Sequence, residues 1–328
     1  MVPPPRPPPP PRDVYATARW HSLDLAEPDC YDELQSLVRG ADAVVHLAWG
    51  FQPSHRRDYL RRTALNGTRA VFTAAAEAGV PHVVHMSSGA VYEAGANERF
   101  VDESWPANGV TNCDYSADKV QVERLLDDLS ARADAPALTR FRPGFIGQYD
   151  AGTALRRYVF PDFLPGWVVR HLPFIPIDRS LRIPAVHADD VAAAIESALE
   201  RHVPGVFNLG SPTPANAADF LAPFGSRALP VPRHVLAAVA DVTWRLRLQP
   251  VQGGWIDLAY ATPMLDCRRA ATMLDWVPRH AGPQVWRDTV NGMRAGAGTS
   301  SPVLCARTAR QVAAVVLERG PIDRRIPP

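Results

Sequence analysis

The chain has 328 residues, enough to bury a sizeable core as one large or two modest domains. Its 35 basic and 34 acidic side chains leave a net charge of +1, which gives no reason to expect nucleic acid or an anionic membrane as a partner. The four cysteines (Cys30, Cys113, Cys267, Cys305) lie far apart, with no C-x-x-C pair and no histidine at ligand spacing, which argues against a metal site or a disulfide framework.

No window has the apolar length to span a bilayer, and the N-terminus is proline where a signal peptide is basic and then apolar. A cytoplasmic enzyme acting on a small-molecule substrate is the expectation. Proline numbers 33, about twice the average share, with much of the excess between Pro3 and Pro11. Lys119 is the only lysine; every other basic side chain is arginine.

Residues 1–12 form a proline-rich segment, restricted to polyproline II or irregular chain because proline donates no backbone hydrogen bond. A βα rhythm follows. Val14 to Trp20 reads as a short strand leading to Ser22-Leu23-Asp24-Leu25, and 29–39 as a helix stopped by Gly40. Residues 43–48 are an apolar run of buried-strand length, and a helix over about 56–79 ends at Gly79 with Pro81 beyond. His82 to Met86 is the next strand, followed by Ser87-Ser88 and a long loop. A helix over 114–132 and a strand over 137–141 come next. Strands alternating with helices predict an α/β fold, a parallel sheet covered on both faces.

Past Arg142-Pro143-Gly144 the rhythm breaks. Residues 150–185, rich in aromatics, prolines and arginines, have the character of a substrate-covering insertion. A helix over 189–201, capped by Asp189 or Asp190, and a strand over 205–209 return to the main sheet. Mixed helix and loop run to about 296, and the tail (297–328) holds one helix, 306–319.

The chemistry concentrates at Tyr115-Ser116-Ala117-Asp118-Lys119. A spacing of four on a helix puts phenol and ammonium on one face, a turn apart. A cation beside a phenol lowers its pKa from about 10 towards the range in which it passes protons. Y-x-x-x-K alone arises often by chance. Its coincidence with the one lysine of the chain, a compact ammonium where arginine serves elsewhere, favours the functional reading. Ser88 ends a predicted strand, the edge at which open α/β sheets bind ligands, and its hydroxyl suits support of charge on a substrate oxygen.

In order along the chain come Asp24-Leu25, Val45-His46-Leu47-Ala48, Asn66-Gly67-Thr68, Ser87-Ser88, Tyr115-x-x-x-Lys119, Arg142-Pro143-Gly144 and His187-Ala188-Asp189-Asp190-Val191-Ala192. Over about 14–295 the chain resembles the extended short-chain dehydrogenase/reductase family, the NAD-dependent epimerase/dehydratase group. The resemblance implies a Rossmann-like sheet, NAD or NADP as cofactor, and Tyr115 as the acid/base with Ser88 and Lys119 beside it. It implies that Asp24 and Leu25 line the adenine, Leu47 and Ala48 the adenosine side, and Lys119, Pro143 and Gly144 the nicotinamide end. Tyr92 and His187 take packing or anchoring roles. A homodimer through the helices at 56–79 and 114–132 is also implied.

The chain departs from that pattern at its start. The family opens with a strand, G-x-x-G-x-x-G and a helix, whose amides seat the pyrophosphate. This chain has no such run and enters at about the third strand. The expected division is therefore an incomplete dinucleotide-binding domain over 13–145 and a substrate-binding region over 146–296, of which 185–210 returns to the sheet. Three readings stand: a recorded start that is too late, a truncated remnant, or a half-domain used for binding or association.

Dehydratases of the family place acidic residues just after the catalytic Ser/Thr; Gly89 and Ala90 stand there, so dehydration is not expected. Arg156, Arg157, Arg170 and Arg179 offer charge for a diphosphate or are solvated surface groups. Trp49, Phe145, Phe160, Trp167 and Phe174 suit an apolar ketone. Reduction or epimerisation at a carbonyl or secondary hydroxyl is the expected reaction. The alternative is a non-catalytic binding or interaction protein.

Overall fold

The computed structural model describes residues 17–50, 55–95, 98–159, 172–301 and 304–305. Its first half runs α1 (Cys30–Val38), β1 (Val44–His46), α2 (Arg57–Glu77), β2 (His82–Met86), α3 (Asp114–Ser130) and β3 (Ala137–Pro143). Then come β4 (Phe145–Gly147), β5 (Phe174–Ile177), β6 (Ala185–His187), α4 (Ala188–Glu200) and β7 (Gly205–Leu209). β8 (Arg227–Pro230), α5 (Arg233–Arg245), α6 (Gly253–Ala261) and α7 (Arg268–Leu274) follow.

β1, β2, β3 and β7 form one sheet in that order, every neighbouring pair parallel. A parallel sheet needs both faces covered, and the alternation along its strands supplies two apolar faces. Val83 and Leu138 pack with Val71, Phe72, Leu125 and Leu126 of α2 and α3. Val84, Phe141 and Phe207 pack on the other side with Val191 and Ala194 of α4 and Ala270 and Leu274 of α7. Full burial of each large apolar side chain contributes about 1.5–3 kcal/mol. Gly40 and Gly79 stop α1 and α2 with φ of +75° and +70°, a left-handed conformation that suits glycine. The return strand expected over 205–209 is β7, paired with β3.

Two expectations change. Thr17 to Trp20 hold no strand and lie exposed; residues 14–16 lie outside the described part. The physical reason is the absence of a ladder partner: β1 is the outer strand among the described residues, with Leu47 just beyond it 55% exposed. The cap of α4 is His187, whose Nδ1 accepts from the Asp189 amide, because buried Asp190 turns inward to the backbone amides of Arg279 and His280. The helix expected at 306–319 lies outside the described residues.

Candidate active site

The site is assembled where β2 ends. The Ser87 amide donates to Phe141 O, prolonging the ladder by one residue, and Ser88 then caps a short turn by accepting from the Ala90 amide at 3.1 Å. α3 is clamped to this turn. Ser116 Oγ donates to Ala90 O at 2.6 Å and accepts from the Val110 amide at 2.7 Å. Further along α3, Glu123 is buried and accepts from Ser87 Oγ at 2.6 Å, Arg140 Nη1 at 2.9 Å and Arg142 Nη2 at 2.8 Å. Burial alone would raise the Glu123 carboxyl; the bonds and charge of the arginines hold it below its ordinary value.

These anchors bring Ser88, Tyr115 and Lys119 together. The Ser88 side chain lies beside the Tyr115 phenol and acts to lower its pKa. Lys119, 3% exposed, donates from Nζ to Met86 O at 2.8 Å and lies 5.9 Å from the Tyr115 ring centroid. Two indoles complete the enclosure. Trp49 presents its face to Lys119 Nζ at 3.5 Å and stands nearly perpendicular to the Tyr115 ring, with ring centroids 5.9 Å apart, and Trp255 lies against the same phenol ring at 4.9 Å.

The electrostatics differ from the reading of the helix alone. Burial pushes the Tyr115 phenol up to about 12, with Ser88 opposing, and brings the Lys119 ammonium down to about 7 against the pull of Glu123. The expected lowering of the phenol by its neighbour is absent because burial dominates, and an ammonium that releases its proton at about 7 carries no charge where the phenol titrates. Behind Lys119 stand two neutral imidazoles. Burial and then the lysine charge lower His46 to about 4; burial, His46 and Lys119 lower His85 well below its ordinary range.

The other expected residues are scattered around this centre. Leu47 and Ala48 lie exposed after β1, and Pro143 and Gly144 follow at the end of β3. Asp24 accepts from the Tyr59 hydroxyl at 3.1 Å and from the Ala26 amide at 2.9 Å. Leu25 rests on Gly67, where a Cβ would approach its own to 2.9 Å, and lines a cleft of about 330 Å³ with Asn66 and Arg69. Tyr92 is fully buried and donates to Asn208 Oδ1 at 2.6 Å, a packing role.

Of the aromatics expected around a substrate, Trp49 touches Tyr115. Phe145 packs on Trp286, Phe174 is exposed, and Phe160 and Trp167 lie outside the described residues, as does Arg170. The sequence reading missed Trp255. Its signal was the preceding Gly253-Gly254 pair: a Cβ on Gly254 would meet Asn112 O at 2.2 Å, so glycine is what lets α6 close on the start of α3.

A dinucleotide tests the site at both ends. Ser88, Tyr115 and Lys119 have the donors that a nicotinamide ribose and a substrate oxygen require, and they fit that end. No glycine makes a phosphate cradle among the described residues. Gly89 and Gly144, beside the site, face Leu265 and Pro184, while Gly40, Gly79 and Gly225 have open space but end helices.

A four-stranded parallel sheet with a hydroxyl, a phenol and an ammonium gathered at the C-terminal ends of its strands defines a Rossmann-like, short-chain-dehydrogenase type of protein. Residues 4–210 match the NAD dependent epimerase/dehydratase family, and the chain belongs to it. Among solved structures, MoeE5 in complex with UDP-glucuronic acid and NAD superposes with a TM-score of 0.60 at 18% identity, covering 85% of this chain and 86% of that one. UDP-glucose 4-epimerase of Thermus thermophilus in complex with NAD gives 0.58 at 18% identity, covering 83% of each. UDP-glucose 4-epimerase of Thermotoga maritima with UDP-glucose gives 0.61 at 16% identity, covering 86% of each. Identities at this level establish a shared fold. The chain matches no curated protein.

Proposed function

We propose that the chain is an NAD-linked oxidoreductase or epimerase acting at a carbonyl or secondary hydroxyl of a small molecule, with Ser88, Tyr115 and Lys119 as its catalytic residues. The observation that carries this is the Ser88 side chain beside the Tyr115 phenol with Lys119 one helical turn on, at the ends of parallel strands. A phenol kept protonated by burial acts first as an acid, giving its proton to the substrate oxygen while Ser88 donates a second hydrogen bond to it. NAD, when bound, supplies or accepts the hydride. In this reading Lys119, Pro143 and Gly144 hold its nicotinamide end, Leu47 and Ala48 the adenosine side, and Asp24 and Leu25 the adenine. Residues 146–296 cover the substrate, and α2 and α3 pair across a two-fold axis in a homodimer.

A non-catalytic role is the second reading. It is favoured by the indole of Trp49 on Lys119, by Tyr59 on Asp24 and by the lack of a phosphate cradle among the described residues.

The test is turnover of a UDP-sugar and of simple ketones at NAD(H) raised well above about 1 mM, with Tyr115→Phe beside the wild type. The phenol accounts for about 10²-fold or more of kcat if it passes the proton. Turnover equal in both proteins, or absent in both, overturns the catalytic reading and leaves the second.

A further inference from the structure

Three side chains able to bind a metal meet where α4 begins. His187 ends β6, Asp189 stands in the first turn of α4, and His280 comes from the loop before the helix over 282–295. One ligand atom of each lies within 4.8 Å of those of the other two. The two imidazole rings are stacked, with centroids 4.0 Å apart and planes 26° apart. Chain order does not display this set, because the loop is fastened to α4 by Asp190, 90 positions before His280.

The hydrogen bonds decide which lone pairs are available. Asp190 is buried, and its carboxylate accepts from the backbone amides of Arg279 and His280 and, at 3.0 Å, from His280 Nδ1. Nδ1 thus carries the proton of the neutral ring, and Nε2 is left with its lone pair bare. A carboxylate that fixes a histidine in this way, in tautomer and in orientation, is the usual support behind a metal ligand. On His187 the lone pair of Nδ1 accepts from the Asp189 amide at 3.2 Å, and the Asp189 carboxylate lies 3.5 Å from the same nitrogen. That amide is exposed and belongs to the first helical turn, so water can replace the imidazole there when a cation takes the lone pair. The Asp189 side chain is 77% exposed, and among the described residues it makes no ion pair with lysine or arginine that a cation would have to break.

We propose that His187, Asp189 and His280 bind a divalent transition-metal ion of the zinc class, with Asp190 holding His280 in place behind it. Two imidazoles and one carboxylate suit such an ion and leave a fourth position for water. Tetrahedral zinc, with bonds of about 2.0–2.1 Å, keeps its ligand atoms about 3.3 Å apart. Atoms now within 4.8 Å close by about 1.5 Å at most, which rotation of the exposed Asp189 and tilting of the two partly exposed rings supply. The ion ties the start of α4 to the loop before the last described helix.

The test is calorimetric titration of the full chain, first stripped with a chelator, with zinc chloride, followed by thermal unfolding with and without the ion. One zinc per chain is expected, with Kd of about 10 µM or tighter and a Tm that rises with zinc concentration. Asp189→Asn and His280→Gln each weaken binding about tenfold or more and abolish the rise in Tm. Metal-free Asp189→Asn keeps the circular dichroism of the wild type, since its side chain is exposed, so its loss of zinc is not a loss of fold. Cobalt(II) in place of zinc shows no near-ultraviolet thiolate band, which separates this set from the four free cysteines. No zinc bound up to about 1 mM overturns the proposal and leaves His187 a helix cap and His280 a packing residue. Binding that either variant leaves unchanged, or a thiolate band with cobalt, also overturns it by placing the ion elsewhere.

Discussion

Lys119 is strongly altered by folding. Its ammonium releases a proton near 10.5 in the unfolded chain and at about 7 in the buried site. Between these values the unfolded chain carries one more proton than the folded one, so stability rises with pH across that window. Below about pH 7 both states hold the proton and the cost of burying the charge is present in full. Lys119→Met lacks this dependence. Stability of the wild type relative to the variant should therefore rise by up to about 1.4 kcal/mol per pH unit above pH 7. Urea unfolding at about pH 6, 8 and 9.5 measures it, and a constant difference would show that the ammonium is not desolvated. Y-x-x-x-K gave the pairing of Tyr115 with Lys119 on one helix face. It gave the wrong direction for the phenol, because four residues cannot report how deeply a helix is buried.

At the scale of elements, the site depends on the register of α3 against the sheet. Glu123 sets it, standing one turn beyond Lys119 and bridging Ser87 after β2 to Arg140 and Arg142 on β3. Removing one partner of a buried ion pair leaves uncompensated charge and costs about 3–5 kcal/mol. Glu123→Gln retains shape and some hydrogen bonding but strands the buried Arg142 guanidinium, while Arg140 keeps Asp127. It should lower stability by about 3 kcal/mol and loosen the Ser88–Tyr115 contact. Denaturant midpoints measure the first effect and tyrosine fluorescence the second; a loss below about 1 kcal/mol would place the register elsewhere, in the apolar contacts of Val122 and Leu126.

At the scale of the whole molecule, the catalytic end and the phosphate end of a dinucleotide site are unequally provided. The pyrophosphate carries much of the charge of NAD and is ordinarily held by free amides at a glycine-rich helix start. Residues 1–328 contain no G-x-x-G-x-x-G, and the Trp49 ring lies over Lys119 Nζ with its centroid 3.5 Å away. This polypeptide should therefore bind NAD and NADP with Kd of about 1 mM or weaker. Calorimetric titration with both measures it. Micromolar affinity would require a phosphate seat built from other residues, and Trp49→Ala tightening the binding would show that the indole competes with the ribose.

Much of the fold was legible in the sequence because its determinants are local. The strand at 82–86 and the strand at 205–209 have the bounds expected, and the helices over 30–38, 57–77 and 114–130 end within two residues of theirs. Apolar runs and periodicities, stopped by Gly40 and Gly79, were enough for these elements and for bringing Ser88 towards Tyr115. The tertiary structure decided what depends on neighbours far away in the chain. Thr17 to Trp20 are irregular because a strand needs a ladder partner, which no propensity supplies. Trp255 reaches Tyr115 from 140 positions along the chain because Gly254 permits close approach, and Glu123 is bound by arginines from a different strand. The acidity of the phenol and the basicity of the lysine follow from desolvation. Desolvation belongs to the packed assembly of elements and is invisible in the order of the residues.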